Sequence, residues 1–334
     1  MTDLLSPRCA PTGDLPAVSV AELVRTAHGL RSVVLGVSKD PNAKVTVLLV
    51  SEQSGVPVMA VKVPTTRVAA AAVEAEAAAL IELHTRYPDV AVEVIPRVVR
   101  TVELDGLRGV VMTAVPGTPM TREYVRGRRS RRRRAQRHLG AVSEWLGCFQ
   151  SATAVGSAGI DMDAGVVSRL AARFDGDERL PEDLARLAAV HARLGTESVP
   201  RTAVHGDLWW GNVLLGREGV TGVVDWEGAC LCGEPVRDLA RFAIMYALYL
   251  DTGGKRSPSW GAGVDFALNG SGWFPELYRD FLGVGLRRLG ASPELWRDAV
   301  LAGLAEVAAR TDDPAFGQSH LRLFRRLARN AAAA

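Results

Sequence analysis

The chain is poor in the residues that announce a specialised architecture. Of 334 residues only four are cysteine, and aromatic residues make up 6%. Cys9, Cys148, Cys230 and Cys232 are too few for a disulfide framework. The one close pair, Cys230-Leu231-Cys232, has the wrong spacing for common zinc or thioredoxin-type sites. Neither sign of charge dominates: 40 Lys+Arg stand against 37 Asp+Glu, a formal net charge of +3. Long apolar runs are missing as well. The most apolar windows, 67–83 and 239–250, are interrupted by Glu74, Glu76 and Glu82 in one and by Arg241 in the other, which excludes a membrane span. The first residues lack the basic start and apolar run of a secretory signal. These absences predict a reduced, cytoplasmic protein with no membrane partner, long enough for one large or two modest domains.

What is present is unevenly distributed. Between Arg126 and Arg137 stand eight arginines and no acid. Such a run is either the solvated start of a helix or a dock for phosphate or an acidic peptide. It carries no interleaved aromatic residues for base stacking, so nucleic acid is not an expected partner. Residues 1–19 contain Pro7, Pro11 and Pro16 with little periodicity and read as a loose extension. A short helix is expected near 20–28. Three Val-rich runs follow, at 31–37, 44–51 and 56–63, separated by the turn formers SKDPNA and EQSG. Residues 66–85 change to Ala, Glu and Leu without Gly or Pro, a helix signal. Runs 97–104 and 107–114 then read as a hairpin around Asp105-Gly106. The expectation for 20–116 is a small antiparallel sheet with one helix, ending in a hinge at Val115-Pro116-Gly117.

Residues 117–334 read as mainly helical. Leu139, Val142, Leu146 and Phe149 recur at helical spacing, as do Leu184, Leu187, Val190 and Leu194, and Pro181 suits a helix start. Further helices are expected near 235–250, 275–289, 293–309 and 314–328. Two short apolar runs, 213–215 and 220–224, flank a turn with Gly216 and Gly219. Residues 251–273, with six glycines and two tryptophans, read as an irregular loop of functional length.

The chemistry concentrates in His205-Gly206-Asp207-Leu208-Trp209-Trp210-Gly211-Asn212, followed by Asp225-Trp226-Glu227. A strand–loop–strand unit can aim Asp207, Asn212 and Asp225 at one point. Phosphoryl transfer needs a carboxylate beside the attacking hydroxyl and hard oxygen ligands that hold Mg²⁺ against the phosphates. Asp207 suits the hydroxyl; Asn212 and Asp225 suit the metal.

In these residues the sequence resembles the aminoglycoside phosphotransferase family of the protein-kinase-like superfamily. That family carries HGD, an Asn five residues after the Asp, and a metal-binding Asp on the next strand. The resemblance implies a two-lobed α+β kinase-like fold and an ATP- and Mg²⁺-dependent enzyme. It also implies a lysine on the third strand for the α- and β-phosphates and an acid on the following helix to orient it. Lys62 in Met59-Ala60-Val61-Lys62-Val63 fits the strand; Glu76, followed by Leu80, fits the helix, with Glu74 as the alternative. The phosphate-covering loop would be Gly36-Val37-Ser38-Lys39-Asp40-Pro41-Asn42, with Gly36 and Ser38 approaching phosphate through the backbone. Adenine would meet backbone groups after Met112, the carbonyl of Thr113 and the N–H of Val115. His205 is implied as a structural residue, and Asp238 as a support of the catalytic loop from a helix start.

The expected acceptor is a hydroxyl of a small molecule: a sugar, an antibiotic or a biosynthetic intermediate. Trp209, Trp210 and Glu227 are candidate acceptor contacts. A polycationic aminoglycoside needs a carboxylate rim, for which Asp161, Asp163, Asp175, Asp177 and Glu178 are available. Four arginines near the end, Arg322, Arg325, Arg326 and Arg329, argue instead for a neutral or anionic acceptor. The rival readings are a peptide Ser/Thr kinase in natural-product tailoring, docking an acidic leader on the arginine run, and a non-catalytic nucleotide-binding scaffold.

Overall fold

The computed structural model describes residues 17–19, 22, 28–37, 42–91, 94–124, 131–163, 165–250 and 260–331. The chain runs through strands β1 (Ala17–Ser19), β2 (Leu30–Val37), β3 (Lys44–Ser51) and β4 (Pro57–Pro64), helix α1 (Arg67–Arg86), and strands β5 (Val98–Leu104) and β6 (Leu107–Thr113). There follow α2 (Arg131–Ala152), β7 (Val155–Gly159), α3 (Val166–Arg173), α4 (Leu180–Leu194), β8 (Ser198–Val204), β9 (Val213–Leu215), β10 (Val220–Val223) and β11 (Cys230–Gly233). The last third is helical: α5 (Val236–Leu250), α6 (Ala262–Asn269), α7 (Trp273–Arg288), α8 (Trp296–Arg310) and α9 (Pro314–Ala331). The architecture is α+β, with the sheet early and the helices late, as the periodicities predict.

Two compact units result. The first holds residues 1–118 and 214–229, the second 119–213 and 230–334. This differs from the single cut after residue 116 that the sequence suggests. The hairpin β9–β10 and the turn after it return to the first unit. Hydrogen bonds tie them there: the Thr221 hydroxyl donates to the Pro116 carbonyl at 2.8 Å, and the Val223 N–H to the Val94 carbonyl at 2.9 Å.

The first unit is built on a sheet of order β1-β5-β6-β4-β3-β2. All its ladders are antiparallel except β1–β5, which is parallel. Residues 17–19, expected to belong to a loose extension, are therefore an edge strand, and the sheet is not wholly antiparallel. The backbone pairing of Ala17 with Thr101 and Ser19 with Glu103 is not announced by a three-residue run of mixed character. Of the helix expected at 20–28, only Glu22, which is helical, and His28 lie among the described residues. Asp105 and Gly106 both take positive φ (50° and 75°), the conformation a two-residue hairpin loop demands.

Helix α1 forms because Ala, Glu and Leu carry little helix penalty and Thr66 caps its start, accepting the Ala69 N–H at 3.1 Å. Its buried stripe is Ala69, Val73, Glu76, Leu80 and Leu83. A glutamate in an apolar stripe costs several kcal/mol unless paired, on the order of the penalty for a buried ion. On β4 the alternation places Lys62 on the face shared with Ala60, while Met59 and Val61 turn to the other face. There they join Leu49, Val102 and Val111 in a buried apolar cluster.

The second unit centres on α8, buried along most of its length (Ala299–Ala305 and Val307–Ala309) and packed against α3, α4, α5 and α9. An all-round apolar helix is what such a central position needs. A small antiparallel sheet of order β11-β8-β7 completes it. The segment expected to be irregular over 251–273 contains the eight-residue helix α6; residues 251–259 lie outside the described ones. No helix among the described residues is long and apolar enough to cross a membrane.

Candidate active site

In the first unit the decisive group is Lys62. It is 5% exposed, and its Nζ donates to both carboxylate oxygens of Glu76 at 2.7 Å and to Asp225 Oδ1. Burial alone would discharge the amine, but the charges of Glu76 and Asp225 outweigh it and hold the ammonium well above the usual lysine range. Glu76 is fully buried, whereas Glu74 is exposed, so the geometry selects Glu76 as the partner of Lys62. Glu76 Oε1 also accepts the Trp226 N–H at 3.1 Å, and Trp226 is itself fully buried. One carboxylate thus holds both the strand lysine and the turn that follows β10.

Asp225 sits in that turn with φ 66°, ψ 60°, a left-handed conformation that non-glycine residues take at a cost of roughly 1–3 kcal/mol. Its side chain remains 42% exposed. Glu227, two residues on, forms an ion pair with Lys44 and accepts from Asn42 Nδ2 at 3.2 Å. Register places Lys44 on the same sheet face as Lys62, because Thr46 lies opposite Lys62 and Lys44 opposite Pro64. Glu227, expected to meet the acceptor, is therefore engaged within the first unit.

The remaining nucleotide candidates are spread over the same unit. Gly36 lies in exposed β2 at a bulge; Ser38 and Lys39 lie outside the described residues. Met112 is buried in β6, and Thr113 ends that strand, its N–H on the Arg97 carbonyl at 2.9 Å and its hydroxyl accepting the Arg97 N–H at 2.9 Å. Val115 is half-buried beside Pro116.

In the second unit β8 delivers the chain to His205. Asp238, in the first turn of α5, is 1% exposed and accepts the His205 N–H at 2.6 Å and the Gly206 N–H at 2.9 Å. Burial pushes its carboxyl up, while His205 and the two N–H groups resist. Gly206 has φ +79°, so a side chain there would strain the turn. The Asp207 N–H donates to Nδ1 of buried His205 at 3.2 Å. Asn212 Nδ2 donates to the Asp207 carbonyl at 3.1 Å, leaving the amide oxygen as the atom suited to a cation. His205, Asp207, Asn212 and Asp238 are thus brought together.

Two features escaped the sequence reading. The Asp207 side chain is not solitary: its Oδ1 is in an ion pair with Arg241 of α5. Trp210 is buried, its indole N–H on the Met245 carbonyl at 3.2 Å and its ring against Tyr249, so it packs the loop onto α5; Trp209, set edge-on to it, is half-buried. Two of the α9 arginines are engaged by acids. Arg325 pairs with Asp177 and Asp183, and Arg326 with Asp265. Among the carboxylates proposed for a polycation rim, Asp177 is taken by Arg325 and Asp163 caps α3. Of the arginine run, 126–130 lies outside the described residues; Arg137 pairs with Glu123, and Arg132 and Arg133 are exposed on α2.

The model of the phosphotransferase enzyme family (APH) matches residues 42–275. The chain belongs to this family. This phosphotransferase matches no curated protein sequence. Among solved structures it is similar to the apo form of a thermostable mutant of aminoglycoside phosphotransferase APH(4)-Ia, at TM-score 0.58 and 15% identity, covering 93% of this chain and 99% of that one. A complex of an APH(4)-Ia mutant with ADP and hygromycin B gives TM-score 0.55 at 15% identity over 92% of this chain and 97% of that one. The streptomycin-ATP-APH(2")-IIa ternary complex gives TM-score 0.54 at 16% identity, covering 92% of this chain and 95% of that one. At such identities the likeness is one of fold, the two-lobed kinase-like fold that the family resemblance implies.

Proposed function

We propose that this phosphotransferase moves the γ-phosphoryl group of ATP to a hydroxyl of a small molecule, with Mg²⁺ as cofactor. The observation that carries the reading is Lys62, a buried strand lysine held at once by a helix glutamate and by the aspartate of the Asp-Trp-Glu turn. Kinase-type phosphate binding uses this pairing, and a buried lysine so arranged has little structural justification otherwise. In this reading Lys62 binds the α- and β-phosphates and Glu76 fixes its position. The residues after Met112, Thr113 and Val115, offer backbone groups to adenine, and Gly36 with Ser38 covers the phosphates.

Asp207 orients the acceptor hydroxyl and takes its proton as the new oxygen–phosphorus bond forms and the bond from Pγ to the β,γ-bridging oxygen breaks, releasing ADP. Asn212 and Asp225 offer a carboxamide and a carboxylate oxygen. That sparse hard-oxygen set suits Mg²⁺, which keeps waters and phosphate oxygens in its remaining positions. Bound there, the ion would neutralise charge on the β- and γ-oxygens. His205 and Asp238 hold the loop, and half-buried Trp209 is the aromatic side chain retained for acceptor contact.

The test is transfer of label from γ-labelled ATP with Mg²⁺ into cell extract split into small-molecule and peptide fractions. Asp207→Asn should lower turnover roughly 10²–10⁴-fold, the usual contribution of a positioned acid–base group, with Mg·ATP affinity unchanged. Label in the small-molecule fraction that depends on Asp207 supports the proposal. Label in the peptide fraction would favour a peptide kinase docking on the arginine run. Unchanged turnover in Asp207→Asn would overturn the catalytic assignment.

A further inference from the structure

Helix α5 is apolar after its first turn, reading Leu239-Ala240-Arg241-Phe242-Ala243-Ile244-Met245-Tyr246-Ala247-Leu248. Arg241 is the one charged residue in that stretch, and its helical neighbours Leu239, Ala240 and Phe242–Leu248 are all buried. A lone arginine there needs a reason, since desolvating its head group is costly without a partner. Its partner is Asp207: Nη2 donates to Oδ1, with the arginine side chain 22% and the aspartate side chain 42% exposed. Arg241 Nε is buried and has no partner among the described residues.

The pairing completes a pattern along one face of the helix. Asp238 holds the backbone N–H groups of His205 and Gly206; Arg241, one turn later, holds the side chain of Asp207; the Met245 carbonyl takes the Trp210 indole; Tyr249 packs on the Trp210 ring. Positions 238, 241, 245 and 249 follow helical spacing and share a face. The Asp207 backbone is already held through its N–H on His205. What stays free in such a residue is rotation about its two side-chain torsions, and a charge-assisted hydrogen bond on Oδ1 removes it.

We propose that Arg241 is a positioning residue for Asp207: it fixes Oδ1 and so presents Oδ2 to the acceptor hydroxyl. The inference rests on the phosphotransfer reading of Asp207 above. Holding a reacting group in one orientation is worth far more in rate than in stability. A misplacement of about 1 Å can cost on the order of a hundredfold. A half-exposed ion pair contributes little to folding. Rate and stability therefore separate the positioning role from a packing one.

The test uses the full chain, γ-labelled ATP and Mg²⁺, with water as the acceptor that is always present. Arg241→Ala should lower kcat about tenfold to a hundredfold with KM for ATP unchanged. Added guanidinium ion at millimolar concentration should restore part of the loss, and Arg241→Lys should fall between the two. Wild-type kcat in Arg241→Ala would overturn the proposal. So would a loss that neither guanidinium nor lysine relieves, since arginine would then be needed only for packing. Asp207→Asn runs alongside: if it keeps wild-type hydrolysis the phosphotransfer reading fails, whereas a dead Asp207→Asn beside a fully active Arg241→Ala removes the Arg241 inference alone.

Discussion

The two units hold their functional residues by different means. In the first, side chains far apart in sequence are joined by charge: Lys62 to Glu76 and Asp225, and Lys44 to Glu227. In the second, a contiguous loop is held mainly by hydrogen bonds to its own backbone, with Asp238 on two N–H groups and Asn212 on a carbonyl. In the proposed reaction charge pairing suits Lys62, because its pairs can be exchanged for the charges of phosphates. Backbone anchoring suits a loop whose course must not vary, and within it the Asp207 side chain is held by one ion pair, to Arg241.

The largest effect is expected from breaking the charge cluster. Glu76→Ala takes the glutamate partner from buried Lys62 and the Glu76 acceptor from the Trp226 N–H, and should cost about 3–5 kcal/mol, the usual penalty for removing one partner of a buried pair. Denaturant unfolding measures it. The double variant Lys62→Met with Glu76→Leu should recover most of that stability and none of the activity. Full stability in the single variant would mean that the first unit does not depend on the pair.

Next in size is a pH effect confined to the second unit. His320 is fully buried, with Nδ1 on the Phe316 carbonyl at 2.9 Å and Nε2 without a hydrogen-bond partner among the described residues. Burial, together with the nearby Arg241 charge, pushes its pKa down to about 4 from the ordinary 6.5. The unfolded chain therefore binds the proton first. Stability present above pH 6.5 is lost as the pH falls toward 4, by about 3 kcal/mol at most. Hydrogen exchange should show α9 opening earlier than the first-unit sheet over this range, and His320→Asn should remove that part of the slope. An identical pH dependence in that variant would rule out His320 as its source.

Asp238→Asn sharpens the comparison at smaller energy. Its amide NH₂ cannot accept, so one of two loop N–H groups loses its partner, at about 1–3 kcal/mol. Turnover should fall about a hundredfold or more through loop misplacement, with Mg·ATP affinity unaltered. Parallel losses in turnover and nucleotide affinity would show that the two sets of residues are not separable. The smallest effect belongs to Glu227→Gln, which weakens a partly exposed pair worth about 0–1 kcal/mol. Its melting temperature should stay within a few degrees of wild type, and a large drop would make Lys44–Glu227 a main support of the Asp225 turn.

Legibility in the sequence followed the range of the interaction. Strands β3 and β9 match the expected runs to the residue, and α1, β5 and β6 fall within a residue or so, because alternation, helix propensity and the Asp105-Gly106 turn act locally. The loop 205–212 was equally readable, since its functional atoms are close in sequence. Strands β1, β7 and β11 were not, for their pairing partners supply what their own short runs lack. Helix α6 was masked by the glycines that flank it. Trp210 and Glu227 looked like acceptor contacts because composition cannot tell an exposed side chain from a packed or paired one.

The sequence by itself determined that a strand lysine, a helix acid and an HGD loop with its Asn stand in kinase-like order, since each lies within a pattern of short period. Only the tertiary structure decided that Glu76 rather than Glu74 meets Lys62, that residues 214–229 rejoin the first unit, and that Arg241 holds Asp207. Those choices depend on which faces are buried against one another, and burial is what turns a charge from a solvated ornament of the surface into a group that must find a partner.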